Sequence, residues 1–288
     1  MFAATTLVLL LAAGQGEKHT LQWKLKEGDV FYNKMNVTMD QTIEVMGQTI
    51  DQKIDMKTAL KFKVKSAKPG ATVVEMTYLE NKIDAQGLPG VNIGNKLKDV
   101  TFTVTLDDKL KVTKLDGYDK FLDAISEGDA DQRKLMKAMM PEDTIRQAVG
   151  QTFAIAPDRP VAVGDKWERA DKMPLGPLGK IEMKSEFKLD AVKGDLATIT
   201  QKGDLKYEAG DGKDSGLPFK ISKADLKADK FTGTNTFDMK LGRLAAMKME
   251  LDLSGTMTIE VAGMTVDAKL KQKMTTTGEV TEKNPVVD

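Results

Sequence analysis

From Met35 to Val45 apolar residues fall on alternate positions. Met35, Val37, Met39, Ile43 and Val45, with Gln41 among them, point one way, and Asn36, Thr38, Asp40, Thr42 and Glu44 point the other. A period of two predicts a strand with one dry and one wet face. Past Met46-Gly47 the apolar phase moves to even positions, Ile50, Gln52, Ile54, Met56, Thr58, Leu60, Phe62 and Val64, against a wet side of Asp and Lys. A two-residue turn accounts for the switch and fixes the register. It opposes Ile43 to Ile50, Gln41 to Gln52 and Met39 to Ile54 on the dry side, and Asp40 to Lys53 on the wet side.

The same construction recurs near the C-terminus. Met247, Met249, Leu251, Leu253, Gly255, Met257, Ile259 and Val261 alternate with polar residues, and Ala262-Gly263 turns the chain. Met264, Val266, Ala268, Leu270, Gln272 and Met274 then return, which opposes Ile259 to Val266 and Asp252 to Lys273. Shorter alternating runs occupy Thr72 to Leu79, Val100 to Leu106, Lys109 to Thr113, Lys180 to Asp190, Asp195 to Thr200, Leu205 to Tyr207 and Phe231 to Leu241, separated by Gly- and Pro-containing turns. Roughly eleven to thirteen strands are predicted, most pairing with an antiparallel neighbour.

Helical spacing is confined to the middle of the chain. Tyr118, Phe121, Leu122 and Ile125 fall three and four apart; Leu135, Met136, Met139 and Met140 follow an acidic cap region at Asp129 to Asp131; Pro141 can open a third helix with Ile145, Ala148 and Val149 on its apolar side. The fold class is therefore mainly β (α+β): a long, curved antiparallel sheet, half-barrel or barrel-like, in two strand-rich parts separated by two or three short helices.

The two parts read as diverged copies of one unit. Gly28-Asp29-Val30-Phe31 opens the first and Gly164-Asp165-Lys166-Trp167 the second; Lys68-Pro69-Gly70 is answered by Lys193-Gly194, and Leu106 to Leu110 by Lys240 to Leu244. The expected organisation is a signal segment over 1–16, repeat one over 21–115, helices over 116–152, repeat two over 160–280 and a tail over 281–288. The signal expectation rests on the uncharged apolar run Phe2 to Ala13, which has the length of a secretory h-region and is too short to span a bilayer, followed by small residues suited to cleavage. It predicts an exported, soluble mature chain, periplasmic or extracellular, with no membrane span.

Composition removes most familiar chemistries. The chain has no Cys and a single His, His19, so thiol nucleophiles, Cys/His zinc sites and His-based triads have no residues in its body. Lys+Arg and Asp+Glu number 43 each, and the zero formal charge lacks the basic excess that binding to nucleic acid needs. Asp211-Gly212-Lys213-Asp214-Ser215-Gly216 lacks the acid spacing of a calcium loop. Met136, Met139, Met140, Met247 and Met249 could be soft copper ligands, but their positions on apolar faces read first as packing. Nearly every Asp and Glu sits on a wet position or in a turn, so no carboxylate pair is predicted, and no metal, cofactor or catalytic residue is assigned.

Following the helices, the stretch Ile155 to Trp167 (IAPDRPVAVGDKW), with the Gly-Asp-x-aromatic strand opening and the late Phe237-Asp238-Met239-Lys240-Leu241-Gly242-Arg243-Leu244 hairpin, resembles a family of uncharacterised exported bacterial proteins. The resemblance covers most of the chain after Leu21. It implies location and fold, and because that family has no agreed activity it implies no site residues. The one-faced strands are also reminiscent of periplasmic carriers that curl a sheet around lipid, an analogy of architecture alone.

One positive feature remains, the dry face rich in Met and aliphatic residues, with 17 Met in the chain against 6% aromatic residues. Two readings stand: a packed core covered by the central helices, or an adaptable apolar groove for an acyl chain or apolar peptide, with the glutamines orienting a polar head. For the groove, the candidate face is Met39, Gln41, Gln52, Ile54, Met56, Met257, Leu270 and Gln272. The expected function is a non-enzymatic envelope protein that binds or carries an apolar, acyl or lipid ligand. The alternative is a structural or protein-interaction domain of the envelope with a filled core.

Overall fold

The computed structural model describes residues 16–86, 96–210, 219–261 and 263–286. The apolar run Phe2 to Ala13 and the Asp211 to Gly216 turn lie outside them. In chain order the elements are β1 (Lys18–His19), β2 (Val30–Val45), β3 (Gln48–Lys68), β4 (Ala71–Gln86), β5 (Thr101–Leu106) and β6 (Val112–Asp116), then α1 (Tyr118–Ser126), α2 (Ala130–Met139) and α3 (Glu142–Gln151). β7 (Val161–Ala162), β8 (Lys166–Pro174), β9 (Gly179–Lys193), β10 (Leu196–Ala209), β11 (Phe219–Asp238), β12 (Arg243–Val261) and β13 (Met264–Thr281) follow.

Eleven strands form one antiparallel sheet in the order β6-β5-β4-β3-β2-β13-β12-β11-β10-β9-β8, and β1 pairs separately with β7. The sheet is a meander that starts at its middle, runs to one edge, crosses through the helices to the other edge and returns. β2 and β13 meet in the centre, with Val45 opposite Ala268 and Met39 opposite Met274. The sheet is not closed into a barrel. It curls far enough for α3 to pack against both β6 and β8, the two edge strands.

Both predicted hairpin registers are observed: Gln41 opposes Gln52 and Asp40 opposes Lys53, and Ile259 opposes Val266 and Asp252 opposes Lys273. Several boundaries differ from the sequence reading. Lys109 to Lys111 belong to a turn held by Asp107, which accepts from the Lys109 and Lys111 amides at 2.9 Å, and strand β6 begins at Val112. The runs at Asp195 and Leu205 are one strand, β10, whose pairing with β11 is irregular between Lys202 and Lys206. β11 begins at Phe219, twelve residues before its clear alternation, because Lys223, Lys227 and Lys230 blur the dry parity beside its bulges. Three helices form, with the Asp129 side chain capping α2 through the Gln132 amide at 2.7 Å and Pro141 preceding α3.

The two strand openings share one hydrogen-bond pattern. Gly28 N–H donates to Val64 O, Val64 N–H returns a bond to Asp29 O, and the Asp29 carboxylate accepts from the Lys26 amide. In the second part Gly164, Leu189, Asp165 and Ala162 make the same four-residue set. Both glycines hold positive φ, 90° and 97°, where a Cβ is disfavoured. Each opening sets an aromatic pair across its first ladder, Phe31 on Phe62 at 4.9 Å and Trp167 on Phe187 at 5.7 Å.

The main core lies at this end of the sheet. Phe31, Phe62, Met76 and Phe102 form a row across four strands, covered by Tyr118, Phe121 and Leu122 of α1, by Leu21 and Trp23 of the N-terminal segment, and by Phe153 and Ile155. Trp23 packs edge-on to Phe153 at 5.2 Å and to Phe237 at 6.1 Å. The hairpins run on well past this layer: β3 alone has 21 residues, about 70 Å at ~3.3 Å per residue.

Candidate functional site

Beyond the main core the dry face continues as rows of side chains that cross the central strands. One row is Ile83, Met56, Val37, Thr276 and Met249. The next is Ala85, Ile54, Met39, Met274, Leu251 and Phe231, and the third is Gln52, Gln41, Gln272, Leu253 and Ala228. Ile50, Ile43, Leu270, Gly255 and Leu226 follow, then Val45, Ala268, Met257 and Ala224. All eight predicted face residues therefore lie on one surface, in five successive rows. With strands about 4.8 Å apart and same-face rows ~6.7 Å apart, the surface measures about 20 by 27 Å.

Its burial differs from that of the main core. Leu270 is 8% exposed, and the other seven predicted residues are half-buried. The hydrophobic cluster on this part of the sheet, Leu205, Phe231 and Leu251 with Ile181, Met183, Ala228, Met249, Leu253 and Met274, draws on strands only, whereas α1, α2 and α3 contribute to the main core. The helices thus cover one end of the dry face, and the Met-rich surface is the part they leave.

Polar groups on the dry face are satisfied mostly in cross-strand pairs. Gln41 Nε2 donates to Gln52 Oε1 at 2.9 Å, Thr58 Oγ1 to Asn81 Oδ1 at 3.0 Å, and Gln201 Nε2 to Ser185 Oγ at 3.1 Å. Such pairing removes the desolvation penalty of a polar group on an apolar surface. Gln272 sits opposite Gln41, and its side-chain amide has no hydrogen-bond partner among the described residues. The middle row of the apolar surface thus offers one amide with free donors and an acceptor.

A cavity of about 1000 Å³ opens elsewhere, in the seam between the sheet edges, and none of the eight residues lines it. Its walls come from Leu21 and Trp23, the Asp108 to Val112 turn, α3, the 153–160 segment and β8. Arg146, Arg159 and Arg169, three of the chain's five arginines, reach it. Each is already engaged: Arg146 with Asp143 at 2.6 Å, Arg159 with Asp165 at 3.6 Å, and Arg169 with Asp171 at 2.7 Å and, through Nη1, with Ala154 O at 2.7 Å. Arg159 and Arg169 tie the 153–160 segment to β8, and the Thr144 hydroxyl of α3 donates to Pro174 O at the end of β8, so the seam is built as a joint. Arg169 and Asp171 occupy dry positions of β8, opposite Ser185 and Met183. The sequence reading passed over this pair because β8 is polar at both parities, and the one available signal was the phase of Trp167 and Met173.

The wet face carries the charge as cross-strand and same-strand ion pairs. Glu250 is held down to about 2 by hydrogen bonds from Lys230 and Lys248, and Glu182, Glu208, Asp190 and Asp229 are also lowered, each first by a hydrogen bond from a neighbouring Lys or Ser. These groups are spent on one another, and among the described residues no three His, Cys, Asp or Glu side chains converge. His19 lies in β1, opposite Val161.

An open, curled antiparallel meander with one face half uncovered defines a mainly β protein of half-barrel type. The chain belongs to the family of unknown function DUF6263, whose pattern matches residues 51–269, as the resemblance to a family without assigned activity implied. A comparison with curated proteins gives no match. Among solved structures the chain is similar to one described under lipid-protein interactions in lipovitellin, at 7% identity and a TM-score of 0.44 over 92% of this chain and 26% of that one. The outer membrane protein OprG of Pseudomonas aeruginosa aligns at 7% identity, a TM-score of 0.24, and 91% and 99% of the two chains. DynF from the dynemicin pathway of Micromonospora chersina aligns at 12% identity, a TM-score of 0.18, and 95% and 91%. The chain spans about a quarter of the lipovitellin chain it matches. No helix among the described residues is long and apolar enough to cross a membrane.

Proposed function

We propose that this protein is an exported, non-enzymatic binder or carrier of an acyl-bearing molecule whose chain lies along the Met-rich dry face. One observation carries the reading: five rows of mainly apolar side chains continue past the helical cover, with Met39, Ile54, Met56 and Met257 half-buried and glutamine amides in the middle row. Met39, Met56, Met257 and Met274 supply unbranched, polarizable side chains that adapt to a flexible chain. Gln272 gives the polar head a hydrogen-bonding partner. Export is supported by the apolar run Phe2 to Ala13 with small residues after it. A role as an interaction domain that pairs through a sheet edge has less support, since α3 packs on both edge strands.

The test is titration of delipidated protein with a fluorescent 16-carbon fatty acid. Saturable binding is expected, and each removal of two methylenes should weaken it about tenfold, from ~0.8 kcal/mol per methylene buried. Ile54→Glu places a charge in the second row and should abolish binding while leaving the fold intact by circular dichroism. Absence of binding by the wild-type chain, or equal binding by Ile54→Glu, would sink the reading.

A further inference from the structure

The most exposed large apolar side chains of the described residues sit at the tips of two neighbouring hairpins. Met46 is 80% exposed in the β2–β3 turn and Met264 is 62% exposed beside the β12–β13 turn, with Ile50 and Val261 at 38% and 39% next to them. The hairpins are adjacent because β2 pairs with β13. Met46 also carries a backbone signal of its own. With Gly47 it forms a two-residue turn closed by Val45 opposite Gln48, and both residues have positive φ, 51° and 76°. That turn favours Asn-Gly, and Met at its first position is strained without the local hydrogen bond that Asn or Asp would make. An exposed apolar residue is thus kept where folding favours a polar one.

The lysines bordering the tips are ion-paired, and the two remaining carboxylates are hydrogen-bonded. Glu44 faces Lys269 at 3.5 Å and Lys220 faces Glu260 at 3.8 Å, while Asp51 and Asp267 accept from Thr42 and Thr258 at 2.7 Å. The tips thus hold no unpaired cation to draw them to an anionic surface, and the two carboxylates would be repelled by one. The tips are also open, with nothing within 4 Å of a Cβ placed at Gly47 or Gly263, and exposed flexible aliphatic side chains suit a fluid hydrocarbon surface better than a shaped protein pocket.

We propose that the two hairpin tips, through Met46 and Met264, insert into the interface of an uncharged lipid bilayer. This deepens the acyl-binding reading by naming where the ligand is collected, and rests on that reading for this link alone. The dry-face rows start directly below the tips, Ile50 and Ile43 lying in the fourth row, so an acyl chain leaving the bilayer would meet the groove at its open end.

The full chain is sedimented with phosphatidylcholine vesicles at low and high salt. Wild type should partition with the vesicles, within twofold at both salt levels. Met46→Asn restores the favoured turn residue, so its melting temperature should equal or exceed that of wild type while partitioning falls about threefold. Met46→Asn with Met264→Asp should lose at least tenfold. Both variants should still bind the fluorescent fatty acid in solution, which separates failure of docking from failure of the groove. Wild type that stays in the supernatant, partitioning that high salt abolishes, or a double variant that partitions like wild type overturns the proposal. Tip-dependent capture of a protein from lipid-depleted extract, without vesicle binding, also overturns it and assigns the tips to a protein partner.

Discussion

Glu250 shows what the wet face does at the level of single residues. Lys230 and Lys248 donate to its carboxylate, and together they hold its pKa at about 2. A carboxylate depressed in the folded state stabilises the protein above its unfolded pKa, near 4.5, and this contribution disappears as pH falls toward 2. Stability should therefore be level above about pH 5 and drop below it. Glu250→Gln should flatten the acid limb of melting temperature against pH, and added salt should shrink the difference, since all these groups are solvent-exposed. An acid limb identical in the two proteins would contradict this role. The alternating Lys and acid residues made such pairing legible in the sequence, because cross-strand neighbours on one face follow from register. The Arg169–Asp171 pair was not legible, since its dry position depends on the register of β8 on β9, which the polar residues at both parities of β8 leave open.

Among the elements, the long hairpins could be read in detail and the edges could not. A clear period of two with a two-residue turn leaves a single register that keeps both faces consistent, and β2–β3 and β12–β13 adopt it. Where bulges reset the phase, so that wet lysines of β11 share the parity of Phe231, or where the pairing of β10 turns irregular, periodicity fails and boundaries shift. The contrast between covered and uncovered dry face also belongs at this scale. Phe62 is 1% exposed, stacked on Phe31 and roofed by the helical layer. Phe62→Ala should cost about 3–5 kcal/mol in chemical denaturation. Met39→Ala, on a half-buried row, should cost about 1 kcal/mol or less and should weaken fatty acid binding instead. Equal losses of stability would mean that the Met-rich rows are as enclosed as the main core.

For the whole molecule, the matching of β2 to β13 turns two strand-rich parts into one continuous sheet, and nothing local in either strand announces it. Opposed residues on long-range neighbours, such as Gln41 and Gln272, become a single row only through that pairing. The seam has the same origin: α3 reaches both edges because the central pairing sets how far the sheet curls. The repeated Gly-Asp opening, by contrast, was visible in the letters and reappears as one hydrogen-bond pattern in both parts. Zero net charge is likewise a property of the whole, produced by wet stripes that neutralise themselves.

The central claim is that an acyl chain lies on the helix-free part of that face. Methionine supplies the probe, since Met39, Met56, Met249, Met257 and Met274 line the rows, whereas Met76 is 5% exposed in the main core and Met136 and Met140 pack against it. Labelling the Met methyl groups with carbon-13 and titrating in a 16-carbon fatty acid reads both groups at once. The account predicts saturable shifts at the five row methionines and stationary signals from Met76, Met136 and Met140. Stationary row signals, or shifts confined to the core group, would contradict it.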